Sequence, residues 1–191
     1  MYLIFEGVDT SGKSTQAALL KESYPDAILT KEPGGTKLGG EIRRLILHEG
    51  VQNHKTELFL FLADRAEHYA EVILPHRDRL VISDRGFISG IAYAMANHPE
   101  YRLDFLLELN RFALDDTLPD LVILLKTNEA LIRQRLSKKS EDMIEKRGID
   151  YLLQVQRNMI DILKQINIKY HIYDASEPIG TIHQKIKGLL A

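Results

Sequence analysis

Gly7-Val8-Asp9-Thr10-Ser11-Gly12-Lys13-Ser14 fits the spacing G-x-x-x-x-G-K-[ST]. Each position has a mechanical use in holding a chain of phosphates. The glycines let the backbone curl so that successive N–H groups point inward at anionic oxygens. The Lys13 ammonium can reach β and γ phosphates, and the Ser14 hydroxyl can ligate Mg²⁺. The stretch follows an apolar, strand-like run and opens, through Thr15, "STQAALLKE", a good helix whose positive dipole end faces the same anion. That context separates a nucleoside-triphosphate loop from an ordinary strand-to-helix turn. It assigns triphosphate contacts to Gly7 through Thr15.

Phosphate binding alone leaves the reaction open. Guanine-nucleotide switches carry Asn-Lys-x-Asp, which does not occur in this sequence, and motors usually need more chain. A small-molecule kinase needs a second pocket for its acceptor. Four further stretches offer one: "KEPGGT" (residues 31–36), "ELFLFLADRAEH" (57–68), "SDRGFISGIAYA" (83–94) and "EDMIEKRG" (141–148). The first and third follow strand-like runs, where an open α/β sheet places its binding crevice. Phe61 and Arg65 are four apart, on one helix face. Read residue by residue, alternatives stand beside these. Phe61 in "LFLFLA" also fits a core position, Arg65 a surface pair with Asp64 or Glu67, and Tyr93 helix packing. The charged run "RQRLSKKSEDMIEKRG" fits either a solvated helix end or a mobile flap carrying cations over an anion.

Taken in order along the chain, these motifs resemble the thymidylate kinase family, nucleoside monophosphate kinases that phosphorylate dTMP with ATP. The resemblance covers nearly the whole chain; singly, only the phosphate loop and "EPGGT" are specific. It implies that Glu32 and Pro33 line the dTMP site and that Arg43 is the family arginine of its helix. It further implies that Phe61 stacks on thymine, that Arg65 hydrogen-bonds the base edge, and that Ser89 lines the same site. Arg85 is the expected clamp on the acceptor phosphate, with Asp84 beside the Mg²⁺ that Ser14 ligates. Tyr93 is expected to crowd the 2′ position, Asp9 to reach the 3′-hydroxyl or the metal shell, and Glu145 to be the lid carboxylate. The family also implies a homodimer built from helix faces, for which "ELFLFLA" is a candidate. The physical demands agree: phosphoryl transfer needs alignment and spread positive charge, here from Lys13, Arg43, Arg85 and Mg²⁺.

The chain departs from the family pattern at several positions. Gly86 follows Asp-Arg, where Tyr or His is usual. Gly90 stands where many members have a polar residue that reads the thymine N3 edge, and Ala94 where Gln commonly follows the Tyr. The catalytic arginine that some members carry in the phosphate loop is Thr10 here, which points to the lid. There Met143 replaces the usual Arg, leaving Arg135, Lys138 and Lys139 as the expected catalytic cations among Arg133, Lys146 and Arg147. Gly90 and Ala94 keep open another pyrimidine acceptor such as dUMP or dCMP. Met143 keeps open a nucleotide sensor with little transfer activity.

The elements that must position these residues alternate. Strand-like runs lie at residues 2–6, 27–31, 80–84, 121–126 and 169–173, and their cores, such as "LVIS" and "LVILL", are nearly all apolar, as in a parallel sheet covered on both faces. Helical spacing appears in "KSTQAALLKE", "LGGEIRRLIL", "TELFLFLADRAEHYAEVI", "LDFLLELNRFAL" and "IDYLLQVQRNMIDILKQI". The expected fold is α/β, a three-layer doubly wound sheet of about five parallel strands. It forms one domain over residues 1–191 with a mobile lid at about 133–148. The chain is 45% hydrophobic and 27% charged with a net charge of -2, which gives no bulk reason to expect nucleic acid or membrane partners. There are no cysteines, so thiolate chemistry and disulfides are excluded. The 7 histidines show no ligand spacing and read as structural or solvated, with His68 the one near the proposed site. "MYLIFEG" is too short for a signal peptide and no apolar run approaches the roughly 20 residues of a membrane span, so the expected setting is the cytoplasm.

Overall fold

The structure, a computed structural model, describes residues 1–136 and 147–190. Five strands form one sheet: β1 (Tyr2–Glu6), β2 (Ile28–Lys31), β3 (Val81–Asp84), β4 (Leu121–Lys126) and β5 (Tyr170–Asp174). All pair in parallel, in the order β2-β3-β1-β4-β5. The chain leaves β1 toward one side of the sheet and reaches β4 on the other. A crevice therefore opens at the carboxyl end of β1, between β3 and β4. Register brings Phe5 level with Asp84, so the loop after β1 and the loop after β3 emerge side by side.

The apolar runs of β1, β3 and β4 reflect burial on both faces, whereas the edge strands β2 and β5 are half-buried or exposed. Ile4, Val122 and Leu124 belong to the core shared with α2 (Lys37–Arg44), α3 (His54–His68), α4 (Phe87–Asn97), α5 (Leu103–Ala113) and α7 (Ile149–Gln165). Their strand neighbours Leu3, Phe5, Leu121 and Ile123 belong to the opposite core, with Ala17 and Leu20 of α1 (Lys13–Ser23) and Ile182 and Ile186 of α8 (Ile179–Lys187). This is the period-two alternation of a pleated strand, with both sides filled.

Helix starts are locally encoded. The Thr36 hydroxyl caps α2 by accepting from Gly39 N at 2.9 Å, and Asn53 caps α3 by accepting from the backbone of Lys55 and Thr56. Both helices run on into wider π-type turns, Leu45–Glu49 and Tyr69–Ile73. Three helices lie outside the stretches that the apolar spacing was expected to mark. Helix α4 is buried throughout Phe87–Ala94, so it lacks the polar face that marks a surface helix. The other two are α8 and α6 (Glu129–Leu136), the latter taking up Arg133 and Arg135 from the charged run. Among the described residues no helix is long and apolar enough to cross a membrane.

Candidate active site

The loop after β1 is shaped by two glycines that nothing else replaces. A side chain on Gly7 would begin 2.7 Å from both Leu125 O and Ser11 Oγ, and the residue sits at φ 141°. Gly12, at φ 100°, turns the chain into α1. No side chain caps α1 here, which leaves its first N–H groups to an anion. Lys13 is 5% exposed and donates from Nζ to Val8 O at 2.9 Å, lying across the loop. Burial, and then the nearby Arg85 charge, bring its ammonium down to about 8. Ser14 Oγ donates to Asp84 Oδ2 at 2.5 Å, joining the two loops.

Beside this loop runs a groove of about 1180 Å³ counting its open mouth. Residues 9–16 line it, opposite Arg135, Ala175, Glu177 and Ile179. Arg135 donates from Nη1 to Thr10 O at 2.6 Å and from Nη2 to Ala175 O at 3.0 Å. It bridges the phosphate loop and the turn after β5. Lys138, Lys139 and Glu145, named with it from the sequence, lie outside the described residues.

A second cavity, of about 480 Å³ with its mouth, lies on the other side of Asp9. Asp9, Glu32, Pro33, Arg43, Phe61, Arg65, Arg85, Ser89 and Tyr93 all line it. So do Leu47, Gly86 and Gly90, which motif spacing did not single out as lining residues. Asp9 and Arg43 border both cavities and mark where they meet. Phe61 belongs to the core and to this wall at once. At Gly86, Ile4 fills the space a side chain would take: a Cβ there would come within 2.7 Å of Ile4 Cδ1.

Arg85 is the hub. It sits at φ 80°, a left-handed conformation that is uncommon for a side-chain-bearing residue. Its guanidinium donates to Gly7 O at 3.1 Å, to Ser89 Oγ at 3.0 Å and to Asp9 Oδ1 at 2.9 Å. Behind it is Glu6, which is fully buried. Glu6 accepts from the Ser89 hydroxyl, and its Oε1 accepts from Gly86 N and Ser89 N at 3.1 Å. The run Glu6, Ser89, Arg85 fixes the guanidinium from beneath. The visible hint was an acidic residue ending an otherwise apolar strand.

A second buried network holds Arg65. Its Nε donates to Glu32 Oε2 at 2.9 Å and its Nη1 to Asn110 Oδ1 at 2.6 Å. His68 Nδ1 donates to Glu32 Oε1 at 2.8 Å, and Thr30 Oγ1 lies 2.7 Å from His68 Nε2. Burial pushes Glu32 up, but Arg65 and His68 outweigh it and hold the carboxyl below its usual range. The surface pairing of Arg65 with Asp64 or Glu67 is not formed; its partners are Glu32 and Asn110. Asp64 instead accepts from Gly34 N at 2.9 Å, and burial raises it to about 6. His68 is structural, as its isolation in the sequence suggested. Asn110 gave no sequence signal of its own.

Burial also raises Glu6 to about 7 against bonds that favour its charge. Its folded pKa lies above the unfolded value. The stability it contributes is therefore present at low pH and lost as pH rises through about 7. Asp64 acts in the same sense through about 6. We expect Glu6→Gln to flatten this dependence: relative to the variant, the wild type should lose roughly 3 kcal/mol between pH 4.5 and 7.5. Parallel melting profiles for the two proteins would overturn the burial assignment.

Comparison with known proteins bears on this geometry. The family model for thymidylate kinase matches residues 5–186. The thymidylate kinase of Sulfurovum sp. (strain NBC37-1) is 49% identical over 186 residues, covering 97% of each chain. That of Campylobacter curvus (strain 525.92) is 46% identical over 192 residues, covering 100% of this chain and 99% of the relative. The crystal structure of thymidylate kinase from Ehrlichia chaffeensis superposes with a TM-score of 0.80 at 26% identity, over 100% of this chain and 98% of that one.

Proposed function

This chain belongs to the thymidylate kinase family, and on that premise we propose that it transfers the γ-phosphoryl group of ATP to dTMP, giving dTDP and ADP for dTTP synthesis. The observation that carries the residue roles is the meeting of two cavities at Asp9 and Arg43, with Lys13 lining one and Arg85 the other. ATP lies along Gly7 to Thr15. The dTMP phosphate faces Arg85, its base faces Phe61 and Arg65, and Tyr93 crowds its 2′ carbon. One oxygen of the dTMP phosphate attacks the γ-phosphorus, and the β–γ bridging oxygen leaves with ADP. That phosphate is already ionised near neutral pH, so no general base is required.

The protein supplies position and charge. Lys13, Arg43 and Arg85 offset the repulsion between two phosphates brought together. Arg135, Lys138 and Lys139 add charge from the lid side at residues 133–148, with Glu145 as its carboxylate. Ser14 and Asp84 are hard oxygen donors touching at the groove, a set that suits Mg²⁺ held mainly by substrate phosphates. Bound there, Mg²⁺ would neutralise charge building on the β- and γ-oxygens. A cytoplasmic setting fits ATP as donor.

We propose a homodimer through the outer faces of α3 and α5. Phe59 and Phe112 are 62% and 87% exposed, flanking an apolar groove with Leu62, Ala66 and Leu74. Exposed apolar patches of this kind mark interaction sites.

One preparation tests both readings. With ATP and Mg²⁺, ADP release should be robust with dTMP, and sedimentation should give twice the chain mass. Turnover with another pyrimidine monophosphate but not dTMP would change the acceptor. Silence with every acceptor would favour a nucleotide sensor, and a monomer would remove the α3–α5 interface.

A further inference from the structure

We infer that Asp64 is a positioning residue for phosphoryl transfer, acting through the Pro33–Gly34 peptide to set Arg43 where the two cavities meet. This rests on the kinase reading above and adds to it a residue that lines neither cavity.

One peptide unit carries the link. Its N–H, on Gly34, donates to Asp64 Oδ1 at 2.9 Å. Its C=O, on Pro33, accepts from Arg43 Nη1 at 3.0 Å. The Pro33–Gly34 bond is trans, so the N–H and the C=O point in opposite directions. A carboxylate and a guanidinium therefore face each other across a single rigid plane. Each polarises the peptide in the sense that strengthens its bond to the other. Asp64 is 1% exposed. Burial, and then the nearby Glu32, raise its carboxyl to about 6, while Gly34 N–H, Arg65 and His68 pull the other way. Asp64 is thus ionised at neutral pH, the form that accepts most strongly.

Two glycines allow the close approach. Gly39 lies four residues before Arg43 on α2, on the same face. A Cβ on Gly39 would run into Asp64 Oδ1 and stand 3.2 Å from Gly34 Cα. Only bare backbone lets α2 close on Asp64 and on the loop together. Gly34 sits at φ 102°, and a Cβ there would stand 3.0 Å from Arg43 Cδ and 3.4 Å from Arg43 Cβ. The loop backbone thus packs on the stem of Arg43 as well as holding its head.

The placement matters because Arg43 borders both cavities. A cation between two phosphates works best when its position is set before they arrive. Helix α2 fixes only the backbone of Arg43, and the guanidinium ends a long flexible stem. The Pro33 carbonyl anchors that end, and Asp64 anchors the carbonyl.

The experiment measures kcat, with KM for dTMP and ATP, in the wild type, Asp64→Ala, Arg43→Ala and the double variant. Arg43→Ala should lower kcat about 100-fold. Asp64→Ala should lower kcat about tenfold, because the cation is present but its end is no longer held. In the Arg43→Ala background, Asp64→Ala should lower kcat by less than about twofold, because the residue it positions is gone. A merely structural role would lower kcat by the same factor in both backgrounds. Asp64→Asn keeps a neutral acceptor and should lose only about threefold. If Asp64→Ala does not fold, the cycle is run with Asp64→Asn, whose smaller loss should likewise vanish without Arg43. Equal factors in the two backgrounds, or no loss of kcat, overturn this inference while dTMP phosphorylation by the wild type stands. Arg43→Ala with wild-type kcat overturns it too, by removing the cation's role. A wild type inactive on every acceptor overturns the kinase reading and this inference with it.

Discussion

Lys13→Ala lowers kcat for dTMP phosphorylation by on the order of 10³-fold, about 4 kcal/mol of transition-state stabilisation. The size follows from where the ammonium lies. It is buried in the loop proposed to receive the triphosphate, with a backbone carbonyl as its resting partner at 2.9 Å. Incoming phosphate oxygens replace a neutral acceptor by an anionic one. A charge in so dry a place has no solvent substitute when removed. Lys13→Met, which keeps the aliphatic packing, should be as inactive as Lys13→Ala, so a folding defect can be separated from lost charge. The residue also leaves a pH signature. Its ammonium titrates near 8 before substrate binds. Protonation is the active form, so kcat/KM for ATP should fall as pH rises past about 8. An ATP profile flat from pH 7 to 10 would remove Lys13 from the free-enzyme titration.

Arg85→Ala is expected to reduce kcat/KM for dTMP by 10³-fold or more, roughly 4 kcal/mol, while KM for ATP changes little. Arg85 is held from three sides, by Gly7 O, Ser89 Oγ and Asp9 Oδ1, so it presents a preset cation to the acceptor cavity. Preset charge costs no reorganisation when the phosphate arrives. Arg85→Lys keeps the charge but loses the planar fork, and should recover only part of the loss. A further effect distinguishes a clamp from a scaffold. Arg85 is among the groups that depress Lys13, whereas Asp9, which it neutralises, raises it. Removing Arg85 should therefore move the alkaline limb of the ATP profile upward. Unchanged kcat/KM for dTMP would sink the clamp.

Much of this was legible from residue types. A strand buried on both faces must be apolar throughout, so "LVILL" and "YLIFE" announced a covered parallel sheet. The phosphate loop was legible because its backbone conformation demands particular residues at particular spacings. Helix α4 was not, since periodicity reports a boundary between apolar and polar faces, and α4 has no such boundary. The acceptor cavity divides in the same way. Arg85 and Arg65 lie in motifs, whereas Glu6 and Asn110 lie behind them. Asn110 meets Arg65 across a separation of 45 residues, and only the folded chain brings α5 to α3. Residues that orient other residues have partners, not patterns, and a single sequence does not reveal partners.

Helix α3 carries Phe61 on the cavity side and Phe59 on the solvent side, two positions apart and so roughly 200° around the helix. A single-residue insertion or deletion ahead of Phe59 would rotate everything beyond it by about 100° relative to the preceding turns. Cavity wall and outer surface would then be lost together. This helix can drift in composition but not in length. Over evolutionary time, gain and loss of residues should be confined to the connections on either side of it, such as residues 50–53.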